Sequence, residues 1–344
     1  MQLSGVLIGC GYTSGLQLSA WAQIPEVTIT AVASRTEAKA QRRADEFGIP
    51  AVYRDLPTML EETKPDFVDI ATPPSSHVEL VEIAAHYGVD ILCQKPAADT
   101  LSDLRHMIAV CQDAGVALII NENGRFQPWH RRIYQIVRDE KRLGQLHYVR
   151  MESRAQLTMP ELNFGEQAFF VTMPRLILFE LGVHHLDTLR YLLGEASTIS
   201  AETHRVSSHI VGEDESISIS NHNGVAATLD MSWARAPSGD TSIEKPTWAS
   251  MRIVGSAGTL TLDYDGTLTI DGVPDGSETW LGLDGIQLGY EAMQQHFVDC
   301  LVAGTRAETS ASETLRTMEL VFGAYHSADT ERVYHVGRDI EELL

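Results

Sequence analysis

The sequence predicts two domains: an α/β unit on a doubly wound parallel sheet, then an α+β unit. The second is an open, mostly antiparallel sheet with helices on one face. Three observations predict this. From Leu3 to Asn121, short apolar runs alternate with longer amphipathic stretches, the pattern of a parallel sheet covered on both faces. Further on, the chain turns to Thr-, Val- and Ile-rich alternating segments with hairpin-like joints. Its 344 residues also exceed one core of ordinary size. The expected division is 1–122 and 123–344.

The predicted strands of the first domain are "SGVLIG", "VTITAVA", "FVDIA", "DILCQ" and "VALIIN". Between them, helical patterns cover Leu16 to Gln23, Thr36 to Phe47, His77 to Tyr87 and Ser102 to Asp113. In the last of these, Leu104, Met107, Ile108 and Cys111 recur at i, i+3, i+4 and i+7. Gly88 and Gly115 read as helix ends followed at once by a strand. In the second domain Pro128 starts a helix running to about Arg142. The strands "LHYVRMESRAQ", "TISAETHRV", "SISISN", "VAATLDMSWA", "ASMRIVGS" and "GTLTLDYDGTLTID" follow, with "HNG" and "YDG" as joints.

Composition bounds the function. Hydrophobic residues make up 44% and charged residues 21%, as in a soluble globular protein. The longest apolar runs are strand-sized, short of a membrane span. A net charge of −21 argues against nucleic acid and against an anionic membrane surface as partners. Cys10, Cys93, Cys111 and Cys300 show no CxxC spacing, which suits reduced thiols and a cytoplasmic location. "LIGC" has the look of a lipoprotein box, but no basic residue precedes Cys10 and the apolar stretch is short, so that reading is set aside.

The first strand runs into Gly9-Cys10-Gly11-Tyr12-Thr13-Ser14, with Gly15 next. Gly9 permits a tight turn and Gly11 lets backbone approach a pyrophosphate. Ser14 or Gly15 allows close helix packing, and the helix N-terminus presents its N–H groups. Between a strand and a helix, Gly9, Gly11, Tyr12, Thr13 and Ser14 therefore predict a Rossmann dinucleotide site. At the end of the second strand Ser34 and Arg35 stand where an NAD site usually carries an acid. Nothing there repels a 2′-phosphate and Arg35 can pair with one, so NADP is favoured, with NAD the alternative. "TPPSSH" brings Thr72, Pro73 and His77 to the next strand's tip, with Ser75 or Ser76 as helix cap. "LCQKP" then places Gln94 and Lys95 at the carboxyl edge, where a lysine can hold a ribose hydroxyl and polarise a reacting oxygen.

These motifs, with "NGRFQP" and "ELGVHHLD", resemble the glucose–fructose oxidoreductase / inositol dehydrogenase (Gfo/Idh/MocA) family over essentially the whole chain. The resemblance implies NAD(P)-dependent hydride transfer between nicotinamide C4 and a secondary alcohol or ketone of a sugar, inositol or related polyol. It also implies a homodimer or homotetramer through the C-terminal sheet. Two departures stand out: the usual E-K-P reads Gln94-Lys95-Pro96, and Glu180 replaces an Asp four residues before the active-site histidine.

On one continuous helix, Glu180, His184 and Asp187 share a face, whereas His185 falls among leucines as a packed histidine. His184 is then the base that takes the substrate hydroxyl proton. Glu180 orients it or relays the proton, Lys95 polarises the oxygen and Asp187 positions the site. No third ligand supports a metal reading. Arg125 is expected at the cofactor or a substrate hydroxyl, with a salt bridge at the domain junction as the alternative. Trp129 and Tyr290 are expected to border the substrate, and His296 and the loop Trp233 to Trp248 are unranked neighbours. The rival function is a non-catalytic NAD(P) sensor on the same fold.

Overall fold

The computed structural model describes residues 2–158, 164–234, 247–271, 278–279 and 284–344. The chain forms two compact units, Met1–Asn123 with Gln287–Arg316, and Gly124–Ile286 with Thr317–Leu344.

The first unit holds β1 (Leu3–Ile8), β2 (Val27–Ala33), β3 (Ala51–Tyr53), β4 (Phe67–Ile70), β5 (Asp90–Gln94) and β6 (Leu118–Asn121). They form one parallel sheet, ordered β3-β2-β1-β4-β5-β6, with α1 (Tyr12–Trp21), α2 (Glu37–Phe47), α3 (Leu56–Thr63), α4 (His77–His86) and α5 (Leu101–Ala114) as crossovers. The order reverses between β1 and β4, the switch point at which an open α/β sheet offers a crevice outside its strand tips. β3 and α3 were not expected. Three residues are too few for a periodic signal, although Asp55 caps α3, accepting from Thr58 N at 2.9 Å, with Pro57 just inside. Helix α1 starts at Tyr12 rather than Leu16, because its first buried residues, Ser14 and Gln17, are polar. Gln17 Nε2 and Trp21 Nε1 each donate to the Asp69 carboxylate on β4 at 2.8 Å, fastening α1 to the sheet. Gly88 and Gly115 take φ of +69° and +71°, as their turn roles require. Neither Ser75 nor Ser76 caps α4. A 3₁₀ turn, Pro74–Ser76, precedes the helix, and Ser76 Oγ donates instead to Thr72 Oγ1 and the Pro73 carbonyl.

The second unit opens with α6 (Pro128–Tyr134), which passes into a π turn over Gln135–Asp139. Next come β7 (Leu146–Arg154), α7 (Ile177–Glu180), α8 (Gly182–Leu193), β8 (Thr198–His204), β9 (Glu215–His222) and β10 (Val225–Ser232). The strands β11 (Ser250–Gly255), β12 (Thr259–Leu262), β13 (Thr267–Ile270) and β14 (Glu278–Thr279) complete this stretch.

The chain then returns to the first unit, which corrects the expected division of 1–122 and 123–344. In α9 (Gly285–Ala303) the Phe297 ring packs 5.2 Å from Phe67 and 6.0 Å from Trp21. Behind it, Ile120 N donates to the Thr309 carbonyl at 2.9 Å, extending the sheet edge. Burial of those rings and pairing of that edge outweigh sequence order. After α10 (Ala311–Thr330), β15 (Tyr334–His335) closes a nine-stranded sheet ordered β14-β13-β12-β11-β7-β10-β9-β8-β15. Among the described residues of this sheet, only β7 and β10 pair in parallel. Val149, Met151, Leu229, Met231, Ile253 and Leu260 line the buried face. On β9 the alternation inverts: Ser216, Ser218 and Ser220 are buried, whereas Ile217 and Ile219 are 42% and 51% exposed. Small inner residues let α7 approach β9 closely.

Candidate active site

Gly9 sits at φ +102°, and a Cβ there would lie 2.5 Å from the Ala71 carbonyl oxygen, between the tips of β1 and β4. Gly11 is the N-cap of α1 and offers no capping side chain; a Cβ on it would meet nothing within 4 Å. The first N–H groups of α1 therefore face a space that backbone leaves clear, which fits a dinucleotide's pyrophosphate. Ser14 is buried and donates to the Gly11 carbonyl at 2.6 Å. Arg43, which sequence reasoning missed, holds the same turn from α2. Its Nη2 donates to the Gly11 carbonyl at 2.9 Å and its Nε to Ser14 Oγ at 3.2 Å. A Cβ on Gly15 would lie 3.0 Å from that guanidinium, so Gly15 meets the close-packing requirement. The signal was Ala40, Arg43 and Ala44 on one face of α2. Cys10 lies buried in the loop, and burial pushes its thiol up to about 11, partly opposed by Arg43, Arg42 and Lys39. Tyr12 is exposed and Thr13 half-buried at the start of α1. Ser34 Oγ accepts from Thr36 N at 3.2 Å, and Arg35 is exposed beside it.

At the tip of β4, Thr72 Oγ1 accepts from Ser76 Oγ at 2.8 Å, and Pro73 is exposed. His77, expected either beside the cofactor or as an inert first-turn residue, is fully buried. Its Nε2 lies 2.8 Å from the Thr72 carbonyl and its Nδ1 3.0 Å from that of Ala97, clasping the segments after β4 and β5. Gln94 ends β5 buried; its Oε1 accepts from Lys95 N at 2.7 Å and its Nε2 donates to the Tyr290 hydroxyl at 3.3 Å. The amide thus has a use for its extra donor that a carboxylate would not. Tyr290, expected against substrate, is instead buried in the first unit beneath Gln94, and burial raises its hydroxyl pKa. Lys95 stands half-buried at the strand tip.

In the second unit, Arg125 and Asp187 form a buried fork: Nε to Oδ2 and Nη2 to Oδ1, each 2.7 Å. Thr317 Oγ1 also donates to Asp187 Oδ1 at 2.9 Å and accepts from Arg190 Nη1 at 2.7 Å. Burial alone would raise the Asp187 carboxyl, but Arg125, Arg190 and Thr317 outweigh it and hold the group below its ordinary value. Arg125 and Asp187 thus lock each other inside this unit, a salt bridge being the alternative expected of Arg125. Trp129, expected to border the substrate, is fully buried with Nε1 donating to Gln127 Oε1 at 3.0 Å.

The continuous helix expected through Glu180 is broken. Helix α7 ends at Glu180, Leu181 takes φ −103°, and α8 begins at Gly182. His184 N donates to the Leu181 carbonyl at 3.1 Å, an i to i−3 bond that tightens the junction. Glu180 and His184 are both buried. The ring of Trp248 lies 4.5 Å from that of His184, inclined 41°. His185 is buried with Nε2 unpartnered; burial, then His184 and His130, drives it well below its ordinary pKa, so it is neutral packing. Glu213 escaped sequence reasoning. Its carboxylate accepts from Leu176 N and Leu178 N at 3.1 Å and from the Tyr325 hydroxyl at 2.5 Å, capping α7 and so setting where Glu180 lies. His296 Nε2 accepts from Glu308 N at 3.0 Å. Residues 235–246 of the loop between Trp233 and Trp248 lie outside the described residues.

Residues 3–122 match the oxidoreductase family with an NAD-binding Rossmann fold, and residues 130–261 match the GFO/IDH/MocA C-terminal domain. A D-apiose dehydrogenase of Paraburkholderia graminis is 35% identical, over 95% of this chain and 88% of that protein. One from Rhizobium rhizogenes is 33% identical over 98% of both. An oxidoreductase of Agrobacterium radiobacter, solved with NAD+, L-tartaric acid and magnesium, superposes with a TM-score of 0.90 at 32% identity, over 98% of this chain and 99% of that one. No helix among the described residues is long and apolar enough to cross a membrane. With both halves of the chain matched and these relatives spanning it, the protein belongs to the Gfo/Idh/MocA family of oxidoreductases.

Proposed function

We propose that this enzyme transfers hydride between an NAD(P) cofactor and a ring carbon of a sugar or related polyol, with a pentose such as D-apiose first among substrates. One observation in the first unit carries the reading. An uncapped, side-chain-free helix start at the sheet's switch point stands on the same carboxyl edge as Lys95. The names of the two D-apiose dehydrogenases support the substrate class. Nothing in them favours the sensor alternative.

When bound, the nicotinamide supplies a hydride acceptor or donor at C4. Gly9, Gly11 and the α1 N–H groups hold the pyrophosphate, with Tyr12, Thr13, Ser14, Thr72 and Pro73 around it. Lys95 donates to the substrate oxygen and stabilises its alkoxide character. His184 exchanges the hydroxyl proton and Glu180 holds its polarity. Arg35 favours NADP over NAD through the 2′-phosphate. The open face of the second sheet, with Ile217 and Ile219, joins copies as a dimer or tetramer. Four buried free cysteines fit a reducing cytoplasm.

The deciding experiment follows reduced-nicotinamide absorbance with D-apiose, other pentoses, hexoses and inositols. Turnover of a sugar, with His184→Ala lowering kcat roughly 10²- to 10⁴-fold at unchanged cofactor affinity, supports the assignment. Cofactor binding without turnover of any panel member, or full turnover by His184→Ala, refutes it. Tighter binding of NADH than NADPH would overturn the NADP preference.

A further inference from the structure

We propose that Trp248 is a positioning residue for His184: its indole covers one face of the imidazole and sets the plane in which that ring exchanges a proton. The inference rests on the reading of His184 as the proton-exchanging group. Both residues lie in the second unit, with ring centroids 4.5 Å apart and planes inclined 41°.

The χ2 torsion of histidine is broad, so the backbone alone does not set its ring plane. The plane matters, because proton exchange requires a ring nitrogen within about 2.6–3.2 Å of the reacting oxygen. Around His184 the backbone is already constrained. Its N–H reaches the Leu181 carbonyl at 3.1 Å, and its carbonyl accepts from Thr188 Oγ1 at 2.8 Å. Trp248 adds a constraint on the side chain, and it is itself anchored. The Trp248 carbonyl accepts from Ser153 Oγ on β7 at 2.7 Å. Thr247 Oγ1 donates to the Tyr264 carbonyl at 3.1 Å, and the Tyr264 hydroxyl donates to the Glu152 carbonyl at 2.8 Å. The backbone that carries the indole is therefore held by β7 and by the turn between β12 and β13. Contact with an aromatic ring at this separation orients the imidazole by packing and keeps water from that face.

The test uses the full chain with histidine labelled by 13C at Cε1, the His184 signal being identified by its loss in His184→Asn. In Trp248→Leu that signal should move downfield as the indole ring current disappears, while Trp248→Phe moves it only part of the way. With a substrate from the panel, Trp248→Leu should lower kcat about 10- to 100-fold with KM little changed. Trp248→Phe should recover most of that loss. A His184 signal unmoved in Trp248→Leu overturns the proposal. So does unchanged kcat with a raised KM, which would make the indole a substrate wall. If the wild-type enzyme turns over no sugar, the function proposed above fails, and the His184 signal alone decides whether the indole orients the ring.

Discussion

Replacing Asp69 by Asn should stabilise this protein, by more above neutrality than in mild acid. Asp69 is fully buried on β4 and accepts two neutral hydrogen bonds, from Gln17 and Trp21. Burial raises its pKa from 3.8 to about 7, only partly opposed by Trp21. A folded-state pKa above the unfolded one means that the folded protein keeps a proton which the unfolded chain has released. Stability from this group is then complete below about pH 4 and is lost as pH rises to about 7. At about 1.36 kcal/mol per unit, the full window amounts to roughly 4 kcal/mol as an upper bound. Asn is neutral throughout and nearly isosteric. Gln17 Oε1 is without a partner, so turning that amide over lets the substituted side chain donate to it while still accepting from Trp21. Urea denaturation of wild type and Asp69→Asn in parallel, from about pH 5.5 to 8, cancels every other titrating group. The difference should shift in favour of the variant by roughly 2 kcal/mol up to pH 7 and then level off. A difference independent of pH would show that Asp69 titrates like an exposed carboxyl and refute the burial argument.

Gly5→Ala places a Cβ 2.3 Å from Cζ of Phe67, so it should cost about 1–3 kcal/mol of stability, read as a lowered Tm. Asp187→Asn breaks the buried fork with Arg125 and should destabilise by roughly 3–5 kcal/mol in denaturant titrations. Cofactor affinity should stay near wild type, since Arg125 and Asp187 face each other; a large loss would restore Arg125 to the cofactor. Arg43→Ala removes the donors on the Gly11 carbonyl and should weaken NAD(P)H binding about tenfold by nicotinamide fluorescence, while sparing kcat. Equal affinity in wild type and variant would show that the glycine turn holds its shape without Arg43.

Local pattern carried much of this protein. Five of the six parallel strands, the glycine turn, Lys95 at a strand tip and the alternating strands of the second unit were legible in the sequence. Each follows from backbone freedom or from burial of one face of a single element, and neighbouring residues encode both. β3 escaped because three residues show no period, and α1 began earlier than expected because its first buried residues, Ser14 and Gln17, are polar. What the tertiary structure alone decided are pairings between residues far apart in the chain. Phe297 returns α9 to the first unit, and Arg125 and Asp187 pair with each other. Glu213 caps α7 and lets the helix break between Glu180 and Gly182, and Trp248 lies on His184. No periodicity reports such contacts, because a buried charge or ring takes whatever partner the packed chain brings within reach, and desolvation makes that partner obligatory.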